Sequence, residues 1–525
     1  MEIIVNHFDI IPIKKIIKFK RSTMQSNFST LDWAVFFSYF LVLILTTVVL
    51  SQNKIKTSRD YFTGGNAMPM FAVAISVLAT SQSAATFLGG PEYSFGKDLT
   101  FLGFYASAFL AVIFVAKVLV PRFYAINSIT VYEYLNYKYG GNSKQYAGVM
   151  FLVGRLFASG ARLYIGALAI SMILFSDIEA THIAISISIL MIGALGYTYF
   201  GGVKSVIFSD IIQAVTYIGA GLAVLIYLYY SMSIDFSTLI STLNENDKLK
   251  VVDFSFSGGF TIWTLLTGWF LLNIAAYGLD QDMTQRVLTC KDKDEGAKSL
   301  IYSIIFTIPV ALLFMLIGLL LYIFYMHPEL SGFKAVCIDQ QFNGEKVTIF
   351  MLYILNEMPE GLRGLVTVGA IAAALSSTNS VLSAMASVAV EDIYRPWLAK
   401  EGRDEAHFLK VSRMMVITFA ILLCGMAMVS FYWQQFTELP LLSFALGVMA
   451  FAYASLLGVY GATIFTDRGT EKTVLFALIG GFLTVLILQP YVIGAIVEIK
   501  VDFAIQMILG TLVSFAIMMT QKMER

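Results

Sequence analysis

Charged residues are scarce in this sequence. Asp, Glu, Lys and Arg make up 13% of the 525 residues, whereas 58% are hydrophobic, and a soluble globular chain is about a quarter charged. Lys and Arg balance Asp and Glu at 35 each, so the net charge is zero and nothing indicates binding to nucleic acid. The composition excludes an ordinary soluble domain and points to a membrane protein.

Cysteine and histidine are also few. The three cysteines, Cys290, Cys337 and Cys424, are far apart in the chain, which argues against a disulfide framework or a zinc site. The four histidines do not cluster. The sequence shows no nucleophile–base pair and no metal cluster, so we expect no enzymatic activity.

Long apolar runs recur along the whole chain, each about 20 residues and long enough to cross a bilayer. The alternating segments of about ten residues that a β-barrel requires are missing. The sequence therefore predicts an all-α polytopic membrane protein with about thirteen transmembrane helices. The predicted spans are roughly 32–51, 67–91, 99–121, 146–175, 181–199, 204–231, 260–284, 299–326, 361–390, 409–432, 439–465, 472–488 and 502–520.

The distribution of Lys and Arg predicts the orientation. With the tail 1–31 outside, the basic clusters around Lys54, Lys291 and Arg395 fall on the cytoplasmic side, as the positive-inside rule requires. The basic residues of positions 1–23 disagree with this assignment, and Met24 is an alternative start. We expect a multi-pass protein of the plasma membrane (a bacterial inner membrane) with its C-terminus inside.

Two hydrophobic segments carry signs of a broken helix. They are "VLATSQSAATFLGG" at 77–90 and "NIAAYGLDQDMTQR" at 273–286. Unwound backbone at membrane depth is tolerated only inside protein or beside a water-filled cavity, and two such segments in corresponding positions indicate an inverted-repeat transporter. The repeats would be 67–231 and 260–465, with accessory helices at 32–51 and 472–520. The alternative is close packing of small residues with incidental hydroxyls.

Four ionisable residues fall within predicted spans: Arg155, Arg162, Asp210 and Asp280. A charge at the centre of a membrane helix costs roughly 2.5–3.5 kcal/mol on insertion scales, so each needs a partner or water. Arg155 and Arg162 are seven residues apart and share a helix face. A structural interhelical tie and a functional site both remain open for these residues.

The stretch "ALSSTNSVLSA" at 374–384 places many small polar side chains inside one span. Ser376 and Ser380 face the same way, with Ser377 beside them. Their hydroxyls either bond back to their own helix or, with freed carbonyls of a broken helix, coordinate a hard monovalent cation, which needs about five or six oxygens.

At this point the sequence resembles the sodium/solute symporter family, which includes bacterial galactose and sialic acid transporters. Four motifs carry the resemblance over roughly 30–520: "SRDYFTGGNAMP", "SVLATSQSAATFLGG", "GGVKSVIFSDIIQ" and "AAALSSTNSVLSAMASVAVEDIY". It implies a LeuT-type core of two inverted five-helix repeats and Na⁺ as the coupling ion. The principal sodium site implied by the family consists of carbonyls and hydroxyls of Ala79, Gln82, Ala373, Ser376 and Ser377.

The sialic acid branch implies a second sodium site. Its positions here are Asp210, Ser376, Asn379 and Ser380, and Asn379 stands where that branch has serine. Without a second sodium, Asp210 would instead neutralise a charge or bind a proton.

The family also implies a solute site. The matching positions are Ser81, Ser83, Thr86, Phe101, Tyr105, Asn273 and Tyr277. The galactose branch has an amide where Thr86 stands and a tyrosine where Ala276 stands, so a close copy of that sugar site is disfavoured. Arg162 is a candidate partner for a carboxylate, although the sialic acid branch places its arginine elsewhere on that helix.

The resemblance implies a sodium-coupled secondary active symporter that imports a small organic solute by alternating access. A carboxylate-bearing solute, such as sialic acid or another organic anion, is favoured over a neutral sugar. The expected partners are this solute and the lipid bilayer, with no obligatory protein partner. The alternative is a membrane-embedded solute sensor, or input domain, that uses the same fold.

Overall fold

The computed structural model describes residues 28–522, apart from 51–54, 233, 257, 333–339, 343–344, 401, 438–440 and 494–500. Most of the predicted external tail, including Met24, and also Cys337 lie outside the described residues. The described chain is almost entirely helical, with a single antiparallel pair of short strands, β1 (Gln341–Phe342) and β2 (Glu345–Lys346).

The helices up to residue 250 include those of the first six predicted spans, together with α2, α7 and α10, which lie outside any predicted span. They are α1 (Thr30–Leu50), α2 (Ser58–Thr63), α3 (Met70–Ser81), α4 (Ala84–Gly96), α5 (Leu102–Phe114), α6 (Val120–Ala125), α7 (Glu133–Tyr139), α8 (Ser143–Phe175), α9 (Ala180–Ser231) and α10 (Phe236–Glu245). A 3₁₀ turn (Gly64–Asn66) follows α2, and a π-helical turn (Val115–Leu119) joins α5 to α6.

The later helices include those of the remaining predicted spans, together with α15, α16 and α21, which lie outside any predicted span. They are α11 (Ile262–Leu266), α12 (Gly268–Gly278), α13 (Gln281–Val287), α14 (Lys293–Met326), α15 (Pro328–Ser331), α16 (Ile349–Asn356), α17 (Leu362–Val388), α18 (Glu405–Thr437), α19 (Leu441–Phe465), α20 (Glu471–Ile487), α21 (Pro490–Ile493) and α22 (Phe503–Met518). A π-helical segment (Ala389–Leu398) extends α17.

The number of membrane spans stays a prediction. Seven described helices are individually long and apolar enough to cross a membrane, or nine if each of two bent helix pairs counts as one span. Helix α9 has 52 residues and contains a non-helical residue, Gly202, with φ 56° and ψ −157°. It therefore covers two of the predicted spans, 181–199 and 204–231, which meet at this kink.

Helices α8 and α17 form the centre of the molecule. In an 18-residue apolar stretch of α17 and its extension, 94% of the residues are buried. The share is 83% in the corresponding stretch of α8 and only 22% in that of α1. Small residues allow the two central helices to approach closely: a Cβ added to Gly166 of α8 would lie 2.7 Å from the Cβ of Ala374 of α17. The serine-rich stretch of the sequence therefore lies in the protein core and does not face lipid.

The connecting segments gather at two opposite ends of the helix bundle. Near the start of α17, hydrogen bonds join Asp32 to the amides of Gly361 and Gly364, and Glu92 to the amide of Ile349. Near the end of its π-helical extension, they join Trp397 to Asn142 and, through Asn142, to Glu471. The two ends of α17 and its extension are thus each tied to neighbouring segments, and the alternating topology of all thirteen spans stays a prediction.

Candidate cation and solute site

The first helix break separates α3 from α4 at Gln82 and Ser83, which have extended backbone angles. The amide of Ser83 donates to Oγ1 of Thr86 at 2.8 Å, and the amide of Thr86 donates to the carbonyl of Ser83 at 3.0 Å. In a continuous helix these two amides would bond to the carbonyls of Ala79 and Gln82. The break therefore frees the two carbonyls that the sequence predicts as sodium ligands.

The hydroxyl-rich part of α17 lies beside this break. Ser376 of α17 donates to Oδ1 of Asp210 at 3.1 Å, and Ser76 of α3 donates to Oδ2 of the same carboxylate at 2.5 Å. Ser377 donates to the carbonyl of Ala374 in its own helix at 3.0 Å. A single carboxylate thus ties α3 to α17, a few residues from the freed carbonyls of the break.

The predicted principal sodium ligands are all buried, with exposed fractions between 0 and 6%. Carbonyl and hydroxyl oxygens are the neutral donors that suit a hard monovalent cation. Since Ser376 and Ser377 donate their protons to protein oxygens, their lone pairs are available to a cation. The donor set fits Na⁺, although its role as a sodium site stays a prediction.

The predicted second cation site has a different character. Asp210 is fully buried and also accepts from Nδ2 of Asn379 at 3.4 Å and from Arg286, whose Nη2 lies 3.3 Å from Oδ2. Ser380 donates to the carbonyl of Ser377 at 3.2 Å. The predicted residues are thus adjacent, but a guanidinium that the sequence did not single out already contacts the carboxylate.

The second helix break separates α12 from α13, with a bend of 55°. Asp280 is extended, and its side chain caps α13 by accepting from the amide of Asp282 at 2.9 Å. Arg155 of α8 pairs with both carboxylates: its Nη1 lies 2.6 Å from Asp280, and its Nη2 also contacts Asp282. Tyr453 of α19 bonds to Asp280 as well. Arg155 is therefore an interhelical tie, one of the two roles that the sequence left open.

A cavity lies between the two breaks. It is lined by all eight residues predicted for the solute site: Ser81, Ser83, Thr86, Phe101, Tyr105, Arg162, Asn273 and Tyr277. Arg155, Asp280 and Tyr453 also reach its wall, together with apolar neighbours such as Ala276. The aromatic rings supply flat apolar surface, and the hydroxyls, the amide and the guanidinium groups can orient a polar solute.

Sequence reasoning missed the roles of Asp282, Arg286 and Tyr453. Asp282 and Arg286 are four residues apart on α13, a spacing that predicts an intrahelical ion pair, and it is present at 3.0 Å. That signal was available in the sequence. Tyr453 lies within an apolar run and gave no such signal.

The geometry defines a class of protein: an α-helical membrane carrier with discontinuous helices around a buried polar cavity. The sequence model described as "Sodium:solute symporter family" matches residues 61–481, most of the chain, so the protein belongs to the sodium:solute symporter family. It is thus a multi-pass membrane protein and a sodium-coupled symporter of a small organic solute, and the predicted coupling ion, Na⁺, is confirmed.

Three relatives illustrate the similarity. The sodium/sialic acid symporter NanT of Aliivibrio fischeri is 27% identical over 88% of both chains. The sodium/sialic acid symporter SiaT of Proteus mirabilis is 29% identical over 75% of this chain and 77% of its own. The human sodium-coupled monocarboxylate transporter 1 is 27% identical over 81% of this chain and 67% of its own.

Solved structures agree on the fold. A Na⁺-coupled sialic acid symporter in a substrate-bound outward-open state matches with a TM-score of 0.79 and 24% identity, over 94% of this chain and 98% of its own. The nucleobase-cation-symport-1 family transporter Mhp1 matches with a TM-score of 0.53 and 12% identity, over 89% and 94%. The predicted LeuT-type fold class is confirmed.

Proposed function

We propose that this protein imports a carboxylate-bearing organic anion together with Na⁺ across the plasma membrane. The observation that carries the proposal is the cavity between the two helix breaks, because its wall combines hydroxyl groups at the start of α4 with the guanidinium groups of Arg155 and Arg162. Arginine matches a carboxylate with paired hydrogen bonds. The named relatives include sialic acid and monocarboxylate symporters, and both solutes carry a carboxylate.

In this proposal Ser81, Ser83 and Thr86 hold one end of the solute and Arg162 contributes positive charge. Phe101 and Tyr105 of the α5 segment cover its apolar surface, and Asn273 and Tyr277 of α12 close the other side. The small side chain of Ala276 leaves room where the galactose branch has a tyrosine. This arrangement favours an organic anion over a neutral sugar.

The same proposal assigns the principal Na⁺ to the freed carbonyls of Ala79 and Gln82, with Ala373, Ser376 and Ser377 of α17. Na⁺ bound there joins α3 to α17 and stabilises one arrangement of the two repeats. Solute and Na⁺ each raise the affinity for the other, since binding coupling is reciprocal. The repeats, taken as 67–231 and 260–465, then rock about the cavity, with the N-terminus outside and the C-terminus inside.

A thermal-shift screen tests the substrate class. The purified full-length chain is heated with sialic acid, propionate, galactose or alanine, each in NaCl and in choline chloride. We expect stabilisation by an anion in NaCl that is at least severalfold smaller in choline chloride. Stabilisation by galactose alone would refute the anion assignment, and stabilisation that is equal in both salts would refute the cation assignment.

Uptake into proteoliposomes then tests transport. With an inward Na⁺ gradient, the radiolabelled anion from the screen should accumulate above its equilibrium level, and collapse of the gradient should release it. Binding without accumulation would instead indicate a sensor.

A further inference from the structure

Four buried charged residues form a continuous series between the solute cavity and the predicted cation residues. In order they are Arg155, Asp282, Arg286 and Asp210, named here the ion-pair relay, and their exposed fractions are 2, 0, 1 and 0%. Arg155 lines the cavity, and Asp210 accepts from Ser376, a predicted sodium ligand. Positive and negative charges alternate along the relay, so each member forms an ion pair with its neighbours.

Asp282 is the centre of this relay because its two carboxylate oxygens hold different arginines. Oδ2 contacts Arg155, whereas Oδ1 lies 3.0 Å from Nη1 of Arg286. Arg286 is shared in turn, since its Nη2 lies 3.3 Å from Oδ2 of Asp210. Arg155 and Arg286 each have a second carboxylate partner, Asp280 and Asp210, so Asp282 is not needed to pair either of them.

We propose that Asp282 is a positioning residue that carries the coupling between solute and cation. An anionic solute in the cavity attracts Arg155 and weakens the ion pair between Arg155 and Asp282. Asp282 then binds Arg286 more strongly and withdraws it from Asp210. The negative charge of Asp210 is then less neutralised by Arg286, so this carboxylate attracts a cation more strongly. In this dry environment charges interact strongly over such distances.

This inference rests on the proposed function, because it requires an anionic solute and a cation near Asp210. It adds a residue that lies in neither predicted site. It also predicts that two neighbouring substitutions of opposite charge both remove the coupling while they shift the Na⁺ affinity in opposite directions, a combination that a purely structural role does not predict.

The first variant is Asp282→Asn. It leaves Arg155 paired with Asp280 and Arg286 paired with Asp210, with Arg162 still close to Asp280, so we expect the protein to fold. Arg286 then pairs with Asp210 alone, and the Na⁺ concentration for half-maximal stabilisation, measured by thermal shift with Na⁺ alone, should rise about tenfold.

The second variant is Arg286→Gln, which removes the positive charge beside Asp210. Its half-maximal Na⁺ concentration should fall below that of the wild type.

Coupling is measured as the fold-change in half-maximal Na⁺ concentration when a saturating anion from the screen (sialic acid or propionate) is added. We expect at least about a fivefold change in the wild type, as is typical of coupled sites, and less than about twofold in both variants. Asp282→Glu keeps the charge and should restore coupling. Asp392→Asn is the matched control: this fully buried carboxylate accepts from Thr130 at 2.8 Å and lies outside the relay, so coupling should be unchanged.

Wild-type coupling in Asp282→Asn would overturn the inference, as would weaker Na⁺ binding in Arg286→Gln. If Asp282→Asn does not fold, Arg286→Gln decides by itself: coupling as large as in the wild type would overturn the inference. A wild-type protein that responds to neither anion in NaCl would refute the proposed function, and the inference with it. A wild-type response with unchanged coupling in both variants would refute the inference alone.

Discussion

At the residue scale, two adjacent serines of α17 have different partners. Ser376 donates to Asp210, which belongs to α9, whereas Ser377 donates to carbonyls of its own helix at 3.0 and 3.4 Å. Back-bonding of this kind is ordinary helix chemistry. It does not by itself distinguish a cation ligand from a packing residue, so the distinction needs a substitution.

We predict that Ser377→Ala abolishes Na⁺-driven uptake at ordinary Na⁺ concentrations and leaves folding intact. The variant loses one proposed oxygen ligand without losing a hydrogen bond to another helix. The half-maximal Na⁺ concentration should rise by at least about tenfold, a cost of about 1.4 kcal/mol. Thr378→Val is the matched control, because the Thr378 hydroxyl also bonds back to Ala374, at 2.8 Å, and is not a proposed ligand. Normal Na⁺ affinity in Ser377→Ala would show that the site assignment is wrong.

We predict that Arg162→Gln weakens the binding of a carboxylate solute much more than the binding of its methyl ester. A hydrogen bond to a charged group contributes about 1.5–3 kcal/mol, so the anion should lose about tenfold or more in affinity. Titration calorimetry with both ligands on wild type and variant measures the difference, and Arg162→Lys should restore only part of it because lysine lacks the planar fork. Equal losses for acid and ester would argue that Arg162 does not face the carboxylate.

At the scale of helices, the sequence predicted the two broken elements because polar and small residues interrupt long apolar runs there. "TSQS" at 80–83 and "GLDQD" at 278–282 contain the observed breaks. The kink in α9 at Gly202 lies in the gap 200–203 between two predicted spans. What the sequence could not provide is the pairing of charges, since Arg155 and Asp280 are 125 positions apart in the chain. Only the packing of α8 against the break reveals that pair.

The kink in α9 requires glycine at position 202. Its backbone conformation, φ 56° with ψ −157°, is close to one that is essentially restricted to glycine. An added Cβ would also lie 2.5 Å from the carbonyl oxygen of Tyr61 in α2. This close approach, and the bond from the Tyr61 hydroxyl to the carbonyl of Thr198 at 2.6 Å, fix α2 against the kink.

We therefore predict that Gly202→Ala destabilises the protein by roughly 1–3 kcal/mol or more. The measurement is the melting temperature of the purified protein in detergent. Gly219→Ala on the same helix is the control: an added Cβ there meets nothing within 4 Å, and alanine is the better helix former by roughly 0.5–1 kcal/mol. Equal melting temperatures of the two variants would contradict the kink as a constraint on the fold.

At the scale of the whole molecule, the two ends of the helix bundle differ in charge. The end that contains the turn between α13 and α14 and the segment before α18 is rich in basic residues, among them Lys291, Lys293, Arg395 and Arg403. The opposite end contains the acidic turns 177–179 and 244–247. We propose that the basic end is cytoplasmic, as the positive-inside rule predicts. With helices that alternate in direction, this orientation would place every loop.

We predict that single cysteines at Asn246 and Glu360 react with a membrane-impermeant maleimide in intact cells. Cysteines at Lys291 and Arg403 should react only after permeabilisation. All four positions are exposed, so differences in labelling report the side of the membrane and not burial. The background replaces Cys290, Cys337 and Cys424 by alanine, and Na⁺-driven uptake confirms that each variant still functions.

The pair Glu360 and Arg403 is the most direct test, since only α17 and its π-helical extension separate them. The reverse labelling pattern would place the N-terminus inside, and labelling of both members of the pair in intact cells would mean that α17 does not span the membrane.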